Sequence, residues 1–422
     1  MSSARHMLVG FGLRLAGRLA GGVLTLVATR LLAQHFGPVA YAPIALVVAL
    51  VGAFGIFGAF GMPTVAARAT AEAPENARAT LRAALVGTMA SSTIATVVLG
   101  GIGLIAYHAR HGVLVPLLVC LPPVLALSAW ATAGNVLTAL RHNGRRALVD
   151  VSSSAYLVVA ALLVVALHAG ALAYVVGYGL AGIASALSMI MLTRAAGRSG
   201  GLDKLSASAS SALRRSALRL GSLDVLAQVY QRLDLFVLSL LAAPRQVALW
   251  AVVTALGAFA LSVPSLLTTA PMPDYMRSIR AHRRRQEHQV LVAALLVGVI
   301  AAAVCTAAGT LIATLLGGGA YRAAAPAVRI LGIAIALAFP ARALADLAVM
   351  NHGDRRVAGS LGLVTIVNLG ANLALDHALG ANGAAWAMVA SEAAACASYL
   401  LAFRSARRAD DADAGPTSPA IA

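Results

Sequence analysis

The sequence predicts an all-α polytopic membrane protein, with about 12 transmembrane helices arranged as two parallel six-helix repeats. Three observations carry this. Of the 422 residues, 60% are hydrophobic and 11% charged, more apolar surface than a soluble core of this size can hide, so a bilayer must act as solvent. The second half repeats the first at a spacing of about 210 residues, and landmarks kept in one order argue for duplication. Arg141-His142-Asn143-Gly144-Arg145-Arg146-Ala147 pairs with Asn351-His352-Gly353-Asp354-Arg355-Arg356-Val357. Met62-Pro63 with Arg68 recurs as Met272-Pro273 with Arg277, Leu13-Arg14-Leu15 as Leu218-Arg219-Leu220, and Arg194 as Arg404. The third observation is the placement of positive charge, taken up below.

Twelve stretches are long and apolar enough to span: 11–33, 39–61, 82–106, 113–139, 152–168, 171–193, 217–241, 246–270, 289–315, 324–349, 357–376 and 382–404. The first is interrupted by Arg14 and Arg18 and lacks a cleavage pattern, so it reads as a retained helix. In the second, Gly52, Gly55, Gly58 and Gly61 permit close helix approach or bending. Cys120, Cys305 and Cys396 all lie in apolar runs and give no support to disulfides. The expected organisation is a six-helix lobe over 1–193, a Gly/Ser/Ala-rich cytoplasmic linker at 194–216, a second lobe over 217–404, and a polar tail at 405–422 expected to be disordered.

Most of the 32 Lys and Arg residues fall at the termini and on the even-numbered connections. The positive-inside rule then places both termini in the cytoplasm. Six helices return the chain to its starting side, so the halves share one orientation. The formal charge of +17 is thereby a topology signal dispersed over short loops, and no nucleic-acid partner is expected. One basic loop, 271–288, holds Arg277, Arg280, Arg283, Arg284 and Arg285. It either anchors at the inner leaflet or binds anionic head groups or a lipid pyrophosphate. The opposite connections are too short to hold a catalytic domain. With no P-loop, no CxxC and no closely spaced His and acidic cluster, neither enzyme activity, a metal nor a cofactor is expected.

The chemistry therefore lies with polar residues inside spans, where an isolated charge facing lipid costs roughly 2.5–3.5 kcal/mol. In the seventh span Asp224, Gln228 and Arg232 follow i, i+4, i+8, with Gln231 and Asp234 on the flanks. That stripe lines a wet cavity or forms a buried seam between helices. In the first span Arg18 sits one turn deeper than Arg14, whose long side chain can snorkel to the head groups. Arg342 and Asp346 are spaced for an i, i+4 pair, and Asn368, Asn372 and Asp376 share one stripe; both sets suit either cavity lining or packing. Arg14, Arg18, Arg232 and Arg342 are the candidate substrate-binding cations, with Arg329 more peripheral. Gln228, Gln231, Asn368 and Asn372 are the candidate polar lining, and Asp224 and Asp234 could neutralise Arg232 or bind a coupling proton or sodium ion.

Several segments together carry a family resemblance. They are the run Arg30 to Tyr41, the Gly-Ala-Phe-Gly-Met-Pro run leading to Arg68, Asp234 with the leucine-rich helix end after it, the segment around Tyr321-Arg322, and Asn368 with Asn372 ahead of Gly383-Ala384-Ala385. The chain resembles the polysaccharide-biosynthesis branch of the multidrug/oligosaccharidyl-lipid/polysaccharide (MOP) exporter superfamily, and within it the Wzx-type flippases. The resemblance implies MATE-like V-shaped lobes and alternating access. It also implies transport of a polyprenyl-pyrophosphate oligosaccharide across the bacterial inner membrane. Membrane lipids and a polysaccharide polymerase or ligase are the implied partners. The alternative within the superfamily is a cation-coupled multidrug antiporter, disfavoured by the 5% aromatic content.

Overall fold

The computed structural model describes residues 2–197, 205–261, 280–351 and 353–413, and among them the chain is helical without strands. Helix α1 (Ser2–Ala59) runs through both of the first two expected spans and turns at Gly37, whose φ of 68° and ψ of 174° break the helical path just before Pro38. A residue with a β-carbon is strained there, and the missing N–H of proline completes the break. Next come α2 (Met62–Glu72) and α3 (Ala77–Ala106). The fourth expected span is two helices, α4 (His111–Val119) and α5 (Pro122–Ala139), meeting at 50°. Pro122 and Pro123 bring no N–H to the ladder at that junction.

The remaining helices are α6 (Asn143–Ala166), α7 (Ala171–Ala196), α8 (Ala207–Leu241), α9 (Pro244–Ala260), α10 (Arg280–Gly317), α11 (Ala325–Met350), α12 (Asp354–Leu379) and α13 (Ala381–Asp413). Among the described residues eight stretches are long and apolar enough to cross a membrane, or nine with the bent α4–α5 pair as one span. The distance from the expected twelve has three causes. Two spans are continuous in α1, α8 carries its polar stripe, and α9 is short.

Three helices extend into segments expected to be loop or tail. Helix α8 starts at Ala207 inside 194–216, capped by Ser206, whose hydroxyl accepts from the Ala209 backbone N–H at 3.1 Å. Helix α10 starts at Arg280 inside 271–288, and α13 continues through Ser405 to Asp413. Extending a formed helix is cheap, and Ala- and Arg-rich ends favour it. Met272, Pro273, Arg277 and His352, with the rest of 198–204, 262–279 and 414–422, lie outside the described residues.

The chain forms two compact units, 1–255 with 314–322, and 256–313 with 323–422. In the first, α1 packs on α6, α3 and α5, α5 packs on α7, and α8 lies along α1, α2 and α3. Small residues set these approaches, because apolar lipid gives helices little hydrophobic reason to associate. Gly17 and Gly21 form a Gly-x-x-x-Gly face on α1: a β-carbon at Gly17 would stand 2.7 Å from the Ala147 β-carbon, and one at Gly21 3.2 Å from the Ser154 hydroxyl. Gly61, at φ 71°, lies so close to Ala217 and Gly221 of α8 that a side chain would strike their backbone. Hydroxyls add the polar glue: Ser128 donates to the Gly55 carbonyl at 2.6 Å, and Thr88 and Thr132 bond at 2.9 Å.

In the second unit α13 packs against both α11 and α12. Leu344 and Leu347 bury against Ala402 and Phe403. Gly298 and Gly332 let α10 and α11 approach closely.

Gly17→Val should destabilise the first unit by about 1–3 kcal/mol through overpacking against α6. Gly12, with open space around it, should gain slightly on change to Ala. Thermal unfolding of the purified protein in detergent measures both, and equal melting of wild type and Gly17→Val would show that the α1–α6 contact is loose.

Candidate functional site

The polar stripe of α8 divides by environment. Asp234 is 8% exposed and faces the fully buried Trp250 of α9. Its Oδ2 accepts from Trp250 Nε1 at 2.8 Å and its Oδ1 from the Leu235 backbone N–H at 2.8 Å. A buried carboxylate held by two donors joins α8 to α9 as well as being a titratable group. Arg232 is half-buried, and its charge reaches both Asp234 and Tyr178 of α7. The Tyr178 hydroxyl lies 3.9 Å from where a β-carbon of Gly52 would stand, so Arg232, α7 and the second arm of α1 share one polar region. Gln231 is exposed. The side chains of Asp224 and Gln228 lie outside the described residues.

On α1, Arg18 is exposed between the two glycines that seat the helix on α6, while the Arg14 side chain lies outside the described residues. That seating fixes the face of α1 from which Arg18 projects.

The far end of α8 is fastened by residues that sequence reasoning missed. Tyr107, at the end of α3, shares a 2.6 Å hydrogen bond with the Ser239 hydroxyl, and Arg110 Nη1 donates to the Ser239 carbonyl at 2.6 Å. Burial pushes the Tyr107 hydroxyl's pKa up, against the opposing pull of Ser239 and Arg110, which keeps it a neutral donor. Nearby contacts in the same unit set the Tyr321 ring 6.5 Å from Tyr41.

The second unit holds a buried polar ladder. Asn368 Nδ2 donates to the Ser391 hydroxyl at 3.0 Å, Asn372 Nδ2 donates to the Asn368 carbonyl at 2.8 Å, and Ser391 donates to the Ala387 carbonyl at 2.6 Å. Asn372 Oδ1 is buried with no hydrogen-bond partner. One turn further Asp376 is also fully buried. Thus Asn368 bridges α12 and α13, while Asn372 bonds back to Asn368 and leaves a buried acceptor one turn from a carboxylate. On α11 the half-buried Arg342 and on α13 the buried Glu392 both extend their fields to Tyr399. Arg329 reaches Thr310 at 3.3 Å on the neighbouring helix. Sequence reasoning missed Glu392: no other charged residue lies within one turn of it on α13, and its link to Arg342 shows only where both charges reach Tyr399.

A second missed group is Arg146, in the sequence only a landmark of the repeat. It is buried at the start of α6, with Nε 3.0 Å from Asp150 Oδ1 and its guanidinium 4.8 Å from the centre of the Trp130 ring. Any β-carbon at Gly134 would collide with that guanidinium. The arrangement is an internally neutralised cation stacked on an aromatic face.

Among the described residues no three His, Cys, Asp or Glu side chains are placed to hold a metal ion. The arrangement offers cations, amides, hydroxyls and buried carboxylates on helices, which suits binding and passage of a polar solute.

Comparison with known proteins places these features in a family. No curated protein matches the chain in sequence. Among solved structures, a lipid II flippase MurJ in an inward closed conformation superposes with a TM-score of 0.77 at 13% identity, over 93% of this chain and 87% of that one. A multidrug resistance MATE family transporter of the MOP superfamily, in an inward-facing conformation, gives a TM-score of 0.70 at 17% identity over 97% of this chain and 100% of its own. A MOP superfamily transporter from Pyrococcus furiosus gives 0.59 at 15% identity, over 97% and 95%. The chain therefore shares the fold of these proteins. The family model described as polysaccharide biosynthesis protein matches residues 8–275, and the chain, a multi-pass membrane protein, belongs to that family.

Proposed function

We propose that this protein is a flippase that moves a polyprenyl-pyrophosphate-linked oligosaccharide from the inner to the outer leaflet of the bacterial cytoplasmic membrane, for surface polysaccharide biosynthesis. The family match over 8–275 carries this reading, and the fold shared with a lipid II flippase supports it. A pyrophosphate needs fixed cations along its path, and guanidinium groups match phosphate with a rigid fork of donors. Arg18 and Arg232 are the principal candidates, and Arg14 and Arg342 are the further ones. The sugars need hydrogen-bonding walls, which Gln228, Gln231, Asn368 and Asn372 supply, while the polyprenyl tail stays in lipid.

Movement is by alternating access, driven by a proton or sodium gradient. Asp224 and Asp234 are the coupling candidates, and the burial of Asp376 beside Asn372 adds a third. A polysaccharide polymerase or ligase is the class of enzyme that would take the delivered glycan. The second reading is a cation-coupled multidrug antiporter, favoured by the MATE fold and by the buried carboxylates Asp234, Asp376 and Glu392, which suit an organic cation.

Three outcomes test the proposal. Tags at residue 1, in 194–216 and after Ser405 should all report cytoplasm, with labels near Arg110, Pro244 and Ala320 reachable from outside; an external C-terminus would overturn the topology. Arg18→Glu or Arg232→Glu should abolish glycan export in a flippase-deficient host at unchanged membrane abundance. Arg→Lys at either site, keeping charge but losing the fork, should reduce export about tenfold. Dye resistance that survives Arg18→Glu, without restored export by the wild type, would install the antiporter reading. Asp224→Asn should blunt the dependence of transport on the ion gradient more than it lowers stability. Asp234→Asn should do both, costing about 1.5–3 kcal/mol of stability from the weakened Trp250 bond. Unchanged gradient dependence in both variants places coupling elsewhere, with Asp376→Asn the next test.

A further inference from the structure

The two copies of the repeat differ where their basic motifs begin a helix. The register that pairs Arg146 with Arg356 also pairs Asp150 with Ser360, Trp130 with Pro340, Gly134 with Leu344 and Val149 with Gly359. In the first copy Asp150 neutralises the arginine, Trp130 stacks on it and Gly134 leaves room for it. Every one of these supports is gone from the second copy. Ser360 carries no charge, Pro340 no aromatic face, and Leu344 is itself buried against Phe403. Arg356 is exposed, and no hydrogen bond or ion pair joins its side chain to another described residue.

What replaces the internal partners is space. A groove of about 340 Å³ opens between α12 and α13, lined by Arg356, Gly359, Ser360, Leu363, Ser398 and Leu401. Val149 is buried in the first copy, whereas a β-carbon at Gly359 would meet nothing within 4 Å. Leu363 and Leu401 are 52% and 66% exposed, so the apolar floor opens to the hydrocarbon around the helices. Arg355, Arg404 and Arg408 are exposed at the same ends of α12 and α13, the ends that the positive-inside rule assigns to the inner leaflet. A cation with two hydroxyls at the head-group level and leucines below it is complementary to an anionic lipid, charge above and chain beneath.

We propose that this groove binds an anionic phospholipid of the inner leaflet. Arg356 pairs with the phosphate, Ser360 and Ser398 donate hydrogen bonds to its oxygens, and Leu363 and Leu401 pack on the acyl chain. The inference does not depend on what the protein carries. The bound lipid takes the place that Asp150 fills in the first copy.

Native mass spectrometry of the full-length protein, titrated with phosphatidylglycerol or phosphatidylcholine, tests this. Wild type should bind phosphatidylglycerol more tightly. Arg356→Gln should weaken that binding about fivefold, the effect of one basic residue near a charged surface. Ser360→Asp should weaken it at least as much, by giving Arg356 the internal partner that Arg146 has. Arg145→Gln, the same charge change at an exposed position of the first copy, should leave binding unchanged. Equal binding of the two lipids, no loss in Arg356→Gln, or an equal loss in Arg145→Gln would overturn the site. Displacement of phosphatidylglycerol by an equal concentration of inorganic phosphate would show a small-anion site and overturn the lipid assignment. Should Ser360→Asp fail to fold, Arg356→Gln against Arg145→Gln decides alone.

Discussion

Hydrocarbon offers no hydrogen-bond partner, and the structure of this chain follows from that one deficiency. Backbone groups must bond within their own segment, hence the helices and the absence of strands among the described residues. Side chains must do likewise or face a wet space. The Ser and Thr hydroxyls of α3 and α5 return to backbone carbonyls or to one another, and Asn368 and Asn372 bond across and along α12 and α13. Where helices approach most closely, as at Gly17 on α6 and Gly61 on α8, loss of the side chain lets backbones make the dispersion contacts that lipid-exposed leucines cannot.

Helix α8 shows how the same constraint ranks polar residues. It has too many charges to rest in lipid on composition alone, so it must be held by neighbours along its length. Midway along it Gly221 lies against Phe60 and Gly61, and at its far end Ser239 shares a hydrogen bond with Tyr107 and accepts one from Arg110. Asp234 is engaged by Trp250 and Leu235. Arg232 is a described member of the stripe, and its charge reaches across to Tyr178.

The two basic motifs that the sequence pairs at a spacing of about 210 residues both begin helices, and their surroundings differ. At the start of α6 an arginine is buried with its own carboxylate and aromatic stack. At the matching start of α12 the arginine has lost all three supports and faces a groove. A buried ion pair pays desolvation for both partners, and removing one partner leaves the other costly unless it reaches solvent or an external anion. Arg356 has done the former, and the groove beside it provides for the latter.

The sequence by itself determined the membrane class and where most of the apolar helices lie, because hydropathy over about 20 residues is a local quantity. It also located Arg232, Asp234, Asn368 and Asn372, since a polar residue in an apolar run stands out without any knowledge of its neighbours. It did not show that α1 is one helix bent at Gly37, or that α8, α10 and α13 extend beyond their apolar cores, because helix length outside lipid is set by propensity and capping. Tertiary structure alone decided which polar residues are clamped and which reach outward. Asp234 and Arg232 differ by two positions, yet one meets Trp250 and the other reaches Tyr178 with its charge. Arg146 and Arg356 look alike in sequence, and only the residues packed around them, Trp130 and Gly134 against Pro340 and Leu344, make one internal and the other exposed.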